Sequence, residues 1–159
     1  MSYPHFETTD QGYLPAGTDV LAVVSGGDER ALQAAWSTYH HRQFLREVVA
    51  RAGRGDTEAE QQRSANALPE FLAELDSLAE VTALQALTAN RRMVDLLTGR
   101  RWTLMRDARE SGESWAAIGA ALGMSKQGAL DWYKRKIAEQ EKHVGKTHDA
   151  DRARAVVTD

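Results

Sequence analysis

The sequence predicts a folded protein of the all-α class, and three observations support that prediction. Alanine, a strong helix former, occurs 25 times, whereas proline occurs only three times in 159 residues. The chain is 42% hydrophobic and 27% charged, as expected of a folded globular protein. Its apolar residues recur three, four or seven positions apart over long stretches, which is the spacing of a helix with one buried face.

Composition excludes several classes of protein. There is no cysteine, so disulfides, thiol catalysis and cysteine zinc sites are excluded. The longest nearly apolar run, 115–124, has ten residues, about half of what a membrane span needs. No basic segment followed by an apolar one opens the chain, and we therefore expect a cytoplasmic protein with no membrane partner. The five histidines lack metal-ligand spacing and no catalytic set stands out, so we expect no metal, no cofactor and no enzyme activity.

The charge is divided unevenly along the chain. Residues 1–90 hold six arginines, no lysine and thirteen acidic residues, a net charge of −7. Residues 91–146 hold twelve basic and seven acidic residues, a net charge of +5. A basic segment in an acidic protein indicates a module that binds a polyanion, although a chance cluster of solvated charges would look the same.

The first two regions are predicted to be an arm and a helical body. Residues 1–27 contain two prolines and four glycines without a sustained period, and we expect a mobile arm whose Leu21–Val24 run can dock on the body. Asp28 opens a segment without glycine or proline that continues to Ala52. Its apolar stripe predicts a helix that the following Gly-Arg-Gly-Asp sequence breaks.

The rest of the 28–98 region is predicted to be a weak helix followed by a long one. Residues 58–65 are polar, and Pro69 suits a first helical turn. From Pro69 to Leu97 the leucine spacing predicts one helix, or two separated near residues 88–90. A stripe this long needs a partner surface, so we expect region 28–98 to form a homodimer; a monomeric helical core is the alternative.

Region 99–142 is predicted to be a module of three short helices. Gly112 suits a helix C-terminus, and Ser114 and Ser125 are good N-caps. Gly119 leaves room where two helices cross, and Gly123 permits a tight turn between them. The inner face of the third helix is predicted to consist of Ala129, Trp132 and Tyr133. Residues 143–159 are polar and are predicted to be a flexible tail.

The stretch Ser114 to Ala129, SWAAIGAALGMSKQGA, resembles the helix-turn-helix of bacterial DNA-binding regulators and of sigma-factor region 4. It is especially similar to small actinobacterial versions of that motif, and the resemblance covers residues 100–136. The family's small residue, turn glycine and inward aliphatic residue fall on Gly119, Gly123 and Ala129. The chain departs from the pattern in having glycine rather than alanine at 119, Gly128 inside the third helix, and Asp131 on its outer side.

This resemblance implies that helix 125–136 reads the DNA major groove. Gln127 is suited to adenine and Lys126 to guanine, whereas Ser125 can touch a base or phosphate while capping the helix. Asp131 is placed either to contact cytosine amino groups or to follow the groove edge. The amide end at Ser114 and Trp115 is expected to face a phosphate. The remaining candidate phosphate contacts are basic side chains: Arg100, Arg101, Lys134, Arg135 and Lys136.

The function that these residues favour is sequence-specific binding of double-stranded DNA by a dimeric transcriptional regulator. A partition or repressor protein of plasmid or phage type would use the same chemistry on another target. A module that binds a protein of the transcription machinery is a further alternative, in which the acidic helices would be the working surface.

Overall fold

The computed structural model describes residues 6–158, and within that range the protein is helical without a β-strand. The predicted all-α class is therefore confirmed. No helix in this range combines the length and the hydropathy that a membrane span requires. The helices are α1 (Val20–Gly26), α2 (Glu29–Arg51), α3 (Glu58–Ser77), α4 (Ala83–Glu110), α5 (Trp115–Ala121), α6 (Lys126–Val144) and α7 (Ala150–Ala155).

The chain forms two compact units that divide between Asp95 and Leu96, inside α4. In the N-terminal unit, α2 begins as the sequence predicts, because the Asp28 carboxylate accepts a hydrogen bond from the Ala31 amide at 3.0 Å. The helix buries part of the predicted stripe, including Leu32 and Leu45, whereas Phe44 of that stripe is 56% exposed, and the helix ends at Arg51.

Much of the segment predicted to be a mobile arm, 1–27, belongs to the core of this unit. Leu14 is fully buried, and the valines of α1 at positions 20, 23 and 24 are buried as well. The buried Thr38 hydroxyl accepts a hydrogen bond from the Leu14 amide at 2.8 Å and donates one to the Ala34 carbonyl at 2.7 Å. The prediction of mobility is therefore wrong for residues 14–27, whereas residues 1–5 lie outside the described range.

Helix α3 starts earlier than the predicted helix at Pro69. Thr57 and Glu60 form a capping box, in which each side chain accepts a hydrogen bond from the other residue's backbone amide. This start stabilises the polar stretch that the sequence marks as weak, and Pro69 lies inside the helix. Because proline has no amide hydrogen, the helix loses one backbone hydrogen bond there.

The break between the two long helices lies at residues 78–82, and not near residues 88–90 as predicted. A buried side chain of α2 supplies the reason, since the Arg42 guanidinium donates to the carbonyls of Leu75 at 2.6 Å and Leu78 at 2.9 Å. These carbonyls at the end of α3 are thus bonded without a continuing helix. Burial lowers the pKa of Arg42, and Glu80 contacts its guanidinium at 3.3 Å.

The C-terminal unit has its own core, which α5, α6, α7 and the second half of α4 surround. Trp115 and Tyr133 are its largest fully buried side chains, with their ring centroids 5.3 Å apart. The other buried members of this core are Met105, Ile118, Ala129, Ile137 and Ala153.

The segment predicted to be a flexible tail, 143–159, packs on this unit through α7. Ala153 is fully buried, and its carbonyl accepts a hydrogen bond from the Tyr133 hydroxyl at 2.8 Å. Arg109 donates to the Thr158 carbonyl at 2.7 Å, and Arg152 forms an ion pair with Glu110 at 2.6 Å. The prediction of a frayed tail is therefore wrong for residues 150–158.

Burial raises the pKa of Tyr133 to about 12, above the value of about 10 for an unfolded tyrosine. Neutral Tyr133 therefore contributes stability that is complete below pH ~10 and is lost as the pH rises to about 12. In an alkaline absorbance titration of the wild type, Tyr133 should ionise in a late step near pH ~12. We expect this late step to be absent from the titration of Tyr133→Phe. The variant should also lose about 1–3 kcal/mol of unfolding free energy, because the buried Ala153 carbonyl loses its partner. Tyr39→Phe is the matched control and should keep the late ionisation; a variant titration identical to that of the wild type would contradict the assignment.

Candidate nucleic-acid interface

The hairpin formed by α5 and α6 contains most of the residues that the sequence singles out. Each helix begins at a serine whose hydroxyl oxygen accepts a backbone hydrogen bond. Ser114 accepts from the Ala117 amide at 3.1 Å, and Ser125 accepts from the Gly128 amide at 3.0 Å. Both predicted N-caps are confirmed, and they set the first residues of both helices.

The connection between these helices is a glycine-terminated helix end. Gly123 has a φ of +69°, the left-handed conformation that glycine adopts without strain. The Met124 amide donates to the Gly119 carbonyl at 2.9 Å, five residues back, which is the hydrogen bond of a Schellman motif. Ser125 follows at once and starts α6.

Gly119 is the point of closest approach between α5 and the start of α6. A Cβ atom at this position would lie 2.8 Å from the Met124 carbonyl oxygen and 2.9 Å from the carbonyl atoms of Ser125. Those neighbours belong to the backbone and cannot rotate away. The sequence predicts a small residue at this crossing, and the observed geometry requires that residue to be glycine.

Helix α6 has a buried and an exposed face. Ala129, Tyr133 and Ile137 are buried in the core, whereas Trp132, predicted to face inward, is only partly buried. The exposed face carries most of the predicted DNA-binding side chains, namely Ser125, Lys126, Gln127, Asp131, Lys134 and Arg135.

Two of these exposed residues form a pair along the helix. The Gln127 Nε2 atom donates a hydrogen bond to Asp131 Oδ1 at 2.7 Å. The residues are four positions apart, the spacing that brings side chains together on one helix face. The negative charge of Asp131 is thus in direct contact with the glutamine amide.

Lys136 is partly buried and is paired on its own helix. Its ammonium group donates to Glu139 at 2.9 Å, and this hydrogen bond lowers the pKa of the Glu139 carboxyl group. Glu139 therefore competes with a phosphate for the charge of Lys136, whereas Lys134 and Arg135 project from the exposed face. Glu139 is not among the predicted contacts, although its position three residues after Lys136 is a recognisable pairing signal in the sequence.

The two arginines of α4 differ in their surroundings. Arg100 is exposed. Arg101 is partly buried, and its guanidinium carbon lies 5.5 Å from the centre of the Trp132 ring. This cation–π contact holds the Arg101 charge beside α6, where Arg135 and Lys136 line a cleft of about 170 Å³.

Trp115 differs from the other predicted contacts because its side chain is part of the core. It is 1% exposed, and the Arg109 guanidinium carbon lies 5.7 Å from its ring centre. Only the backbone amide of Trp115 is therefore suited to the predicted phosphate contact. Ser114 is exposed, and its hydroxyl caps the helix.

Comparisons with protein-family models, with curated proteins and with solved structures give no match for this chain.

Replacing Gly119 with alanine should destabilise the protein by about 1–3 kcal/mol, because the added methyl group forces the two helix backbones apart. Gly99→Ala is the matched control, since Gly99 lies in α4 and a Cβ there meets no atom within 4 Å beyond the adjacent backbone of its own helix. We expect this control to gain about 0.5–1 kcal/mol from the helix preference of alanine. Chemical denaturation measures both changes, and an equal response of the two variants would contradict the close approach at Gly119.

Proposed function

We propose that the C-terminal unit is a helix-turn-helix module that binds double-stranded DNA and places α6 in the major groove. The observation that carries this proposal is the division of α6 into a face locked in the core and a polar face whose first turn is exposed. A recognition helix needs both, because its base contacts depend on a rigid backbone and on exposed side chains long enough to reach into the groove. The caps and the glycine turn of the α5–α6 connection agree with this role.

The charges of the unit suit a polyanionic partner. From Ser125 to Lys136 the chain carries four basic residues and one acidic residue, Asp131. Lys134 and Arg135 are exposed on α6, Arg101 lies against Trp132 of the same helix, and all three are suited to phosphates beside the groove. Such contacts supply affinity for any sequence, whereas the first turn of α6 supplies base preference.

We further propose that the chain acts as a homodimer, in the cytoplasm, as a regulator of transcription. A single module of this size buries too little surface for tight, selective binding, and two copies on a two-fold axis supply two half-sites. The N-terminal unit carries exposed apolar side chains that suit such pairing, since Leu84 is 76%, Leu87 63% and Val94 53% exposed. A partition or repressor protein would use the same arrangement on another target.

An apolar groove favours one other function, the binding of a protein of the transcription machinery. The groove has a volume of about 320 Å³, and Leu97, Leu104 and Leu122 are among the residues that line it. Leu97 is 55% and Leu104 68% exposed, and both of these apolar side chains line the groove, as expected of a surface that binds another protein. DNA binding distinguishes the two functions, because a protein-binding module has no reason to show base preference.

Selection of preferred sites from random double-stranded DNA, followed by affinity measurement over a range of salt concentrations, tests the DNA-binding proposal. The double variant Lys134→Ala and Arg135→Ala should weaken binding to every duplex. It should also reduce the slope of log affinity against log salt by up to about 1.8, or about 0.9 for each lost phosphate contact. The control removes two exposed arginines of the N-terminal unit, Arg51→Ala with Arg54→Ala, and should leave the slope unchanged. Equal slopes for the wild type and both variants would count against phosphate contacts by α6.

Light scattering at micromolar concentration tests the dimer and should give twice the chain mass of 17.6 kDa. Leu84→Lys with Leu87→Lys should shift the protein to the monomer mass, because the added charges oppose burial of that face. Leu21→Lys, at a leucine that is 65% exposed on α1, is the control and should remain dimeric. A wild-type mass of 17.6 kDa without DNA, together with a single bound chain on a duplex with two half-sites, would refute the dimer.

A further inference from the structure

The hydrogen bond between Gln127 and Asp131 fixes the direction of the glutamine amide. An ionised carboxylate only accepts hydrogen bonds, so the atom that contacts Asp131 Oδ1 at 2.7 Å is the amide nitrogen of Gln127. The carbonyl oxygen Oε1 of Gln127 is then turned away from Asp131. Without such a partner, an exposed glutamine amide rotates freely and offers its donor and its acceptor in either orientation.

The paired side chains present mainly acceptors to their surroundings. One hydrogen of the Gln127 amide is used by Asp131, whereas Oε1 keeps both of its lone pairs. Asp131 adds a second carboxylate oxygen, and both residues are exposed. A base edge that approaches this pair therefore meets negative charge and lone pairs.

The major groove offers two kinds of group to such a surface. The amino groups at N6 of adenine and N4 of cytosine are donors, whereas guanine O6 and N7 and thymine O4 are acceptors. The acceptors of the pair attract the amino groups and repel guanine and thymine at the same position. Asp131 places a negative charge, which phosphates repel, on a basic helix that is proposed to face DNA. Reading an amino group would give that charge a role.

We propose that Gln127 and Asp131 together read one exocyclic amino group, of adenine or cytosine, in each half-site. Asp131 acts as a positioning residue that holds the Gln127 amide with its carbonyl oxygen towards the base. This inference rests on the proposed DNA-binding function and adds to it the chemical class of base that is read.

The experiment uses the full chain and the best duplex from site selection. Each adenine of a half-site is replaced in turn by purine, which lacks the 6-amino group, and each cytosine by 2-pyrimidinone, which lacks the 4-amino group. At one base in each half-site, the loss of the amino group should weaken wild-type binding about tenfold or more. Full affinity after every replacement would overturn the proposal.

Variants then separate positioning from general support of the helix. Asp131→Asn has nearly the same shape but offers both a donor and an acceptor, so it leaves the Gln127 amide free to turn. The tenfold preference should fall to less than about threefold, while binding to unrelated duplexes stays equal or strengthens as a negative charge is lost. Gln127→Ala should remove the same preference, and the double variant should lose no more than either single variant. Gln140→Ala, at another glutamine of α6, is the control and should keep the full preference.

Three outcomes would overturn the inference in different ways. If Asp131→Asn keeps the full preference for the amino group, Asp131 does not position Gln127. If the wild type shows no salt-dependent binding to any duplex, the proposed DNA-binding function fails together with this inference. Salt-dependent binding with no dependence on any amino group leaves the function standing and removes only the reading by this pair.

Discussion

The close approach of Gly119 to the backbone of Met124 and Ser125 is the contact on which the C-terminal unit depends. A Cβ atom at Gly119 would lie only 2.8–2.9 Å from peptide atoms, which leaves no room for a methyl group. The separation of α5 from the start of α6 is therefore set by backbone atoms and not by side chains that could adjust. The same glycine accepts the Met124 amide through its carbonyl, which closes the turn. Ser125 is thereby placed to cap α6, and Gln127 follows two residues later on a helix whose start has little freedom to shift.

Features that depend on neighbouring residues were predictable from the sequence. The start of α2 after Asp28, the caps at Ser114 and Ser125 and the positive φ of Gly123 all match expectation, because each is decided within a few residues of the chain. The buried face of α6 at Ala129 and Tyr133 also matches, since helical periodicity marks it directly. These local rules define most of the hairpin that carries the candidate interface.

Features that depend on distant residues were not predictable in this way. Nothing near Leu78 in the sequence indicates that Arg42, more than thirty positions earlier, bonds the last carbonyls of α3. Likewise, the polar segment 143–159 carries no apolar period, although Ala153 meets the hydroxyl of Tyr133. The spacing of Gln127 and Asp131 permits a pair, but only the three-dimensional arrangement shows which atoms meet.

The docking of α7 has a consequence for the order in which the chain assembles during synthesis. Tyr133 and Arg109 bond to carbonyls of residues 153–158, which leave the ribosome after the rest of the C-terminal unit. Until those residues emerge, the Tyr133 hydroxyl lacks its hydrogen-bond acceptor, and the surface that Ala153 covers is exposed to water. The N-terminal unit, whose buried residues all precede α5, can complete its core earlier. During synthesis the acidic N-terminal unit can therefore fold first. The basic C-terminal unit completes its core only after α7 has packed against it.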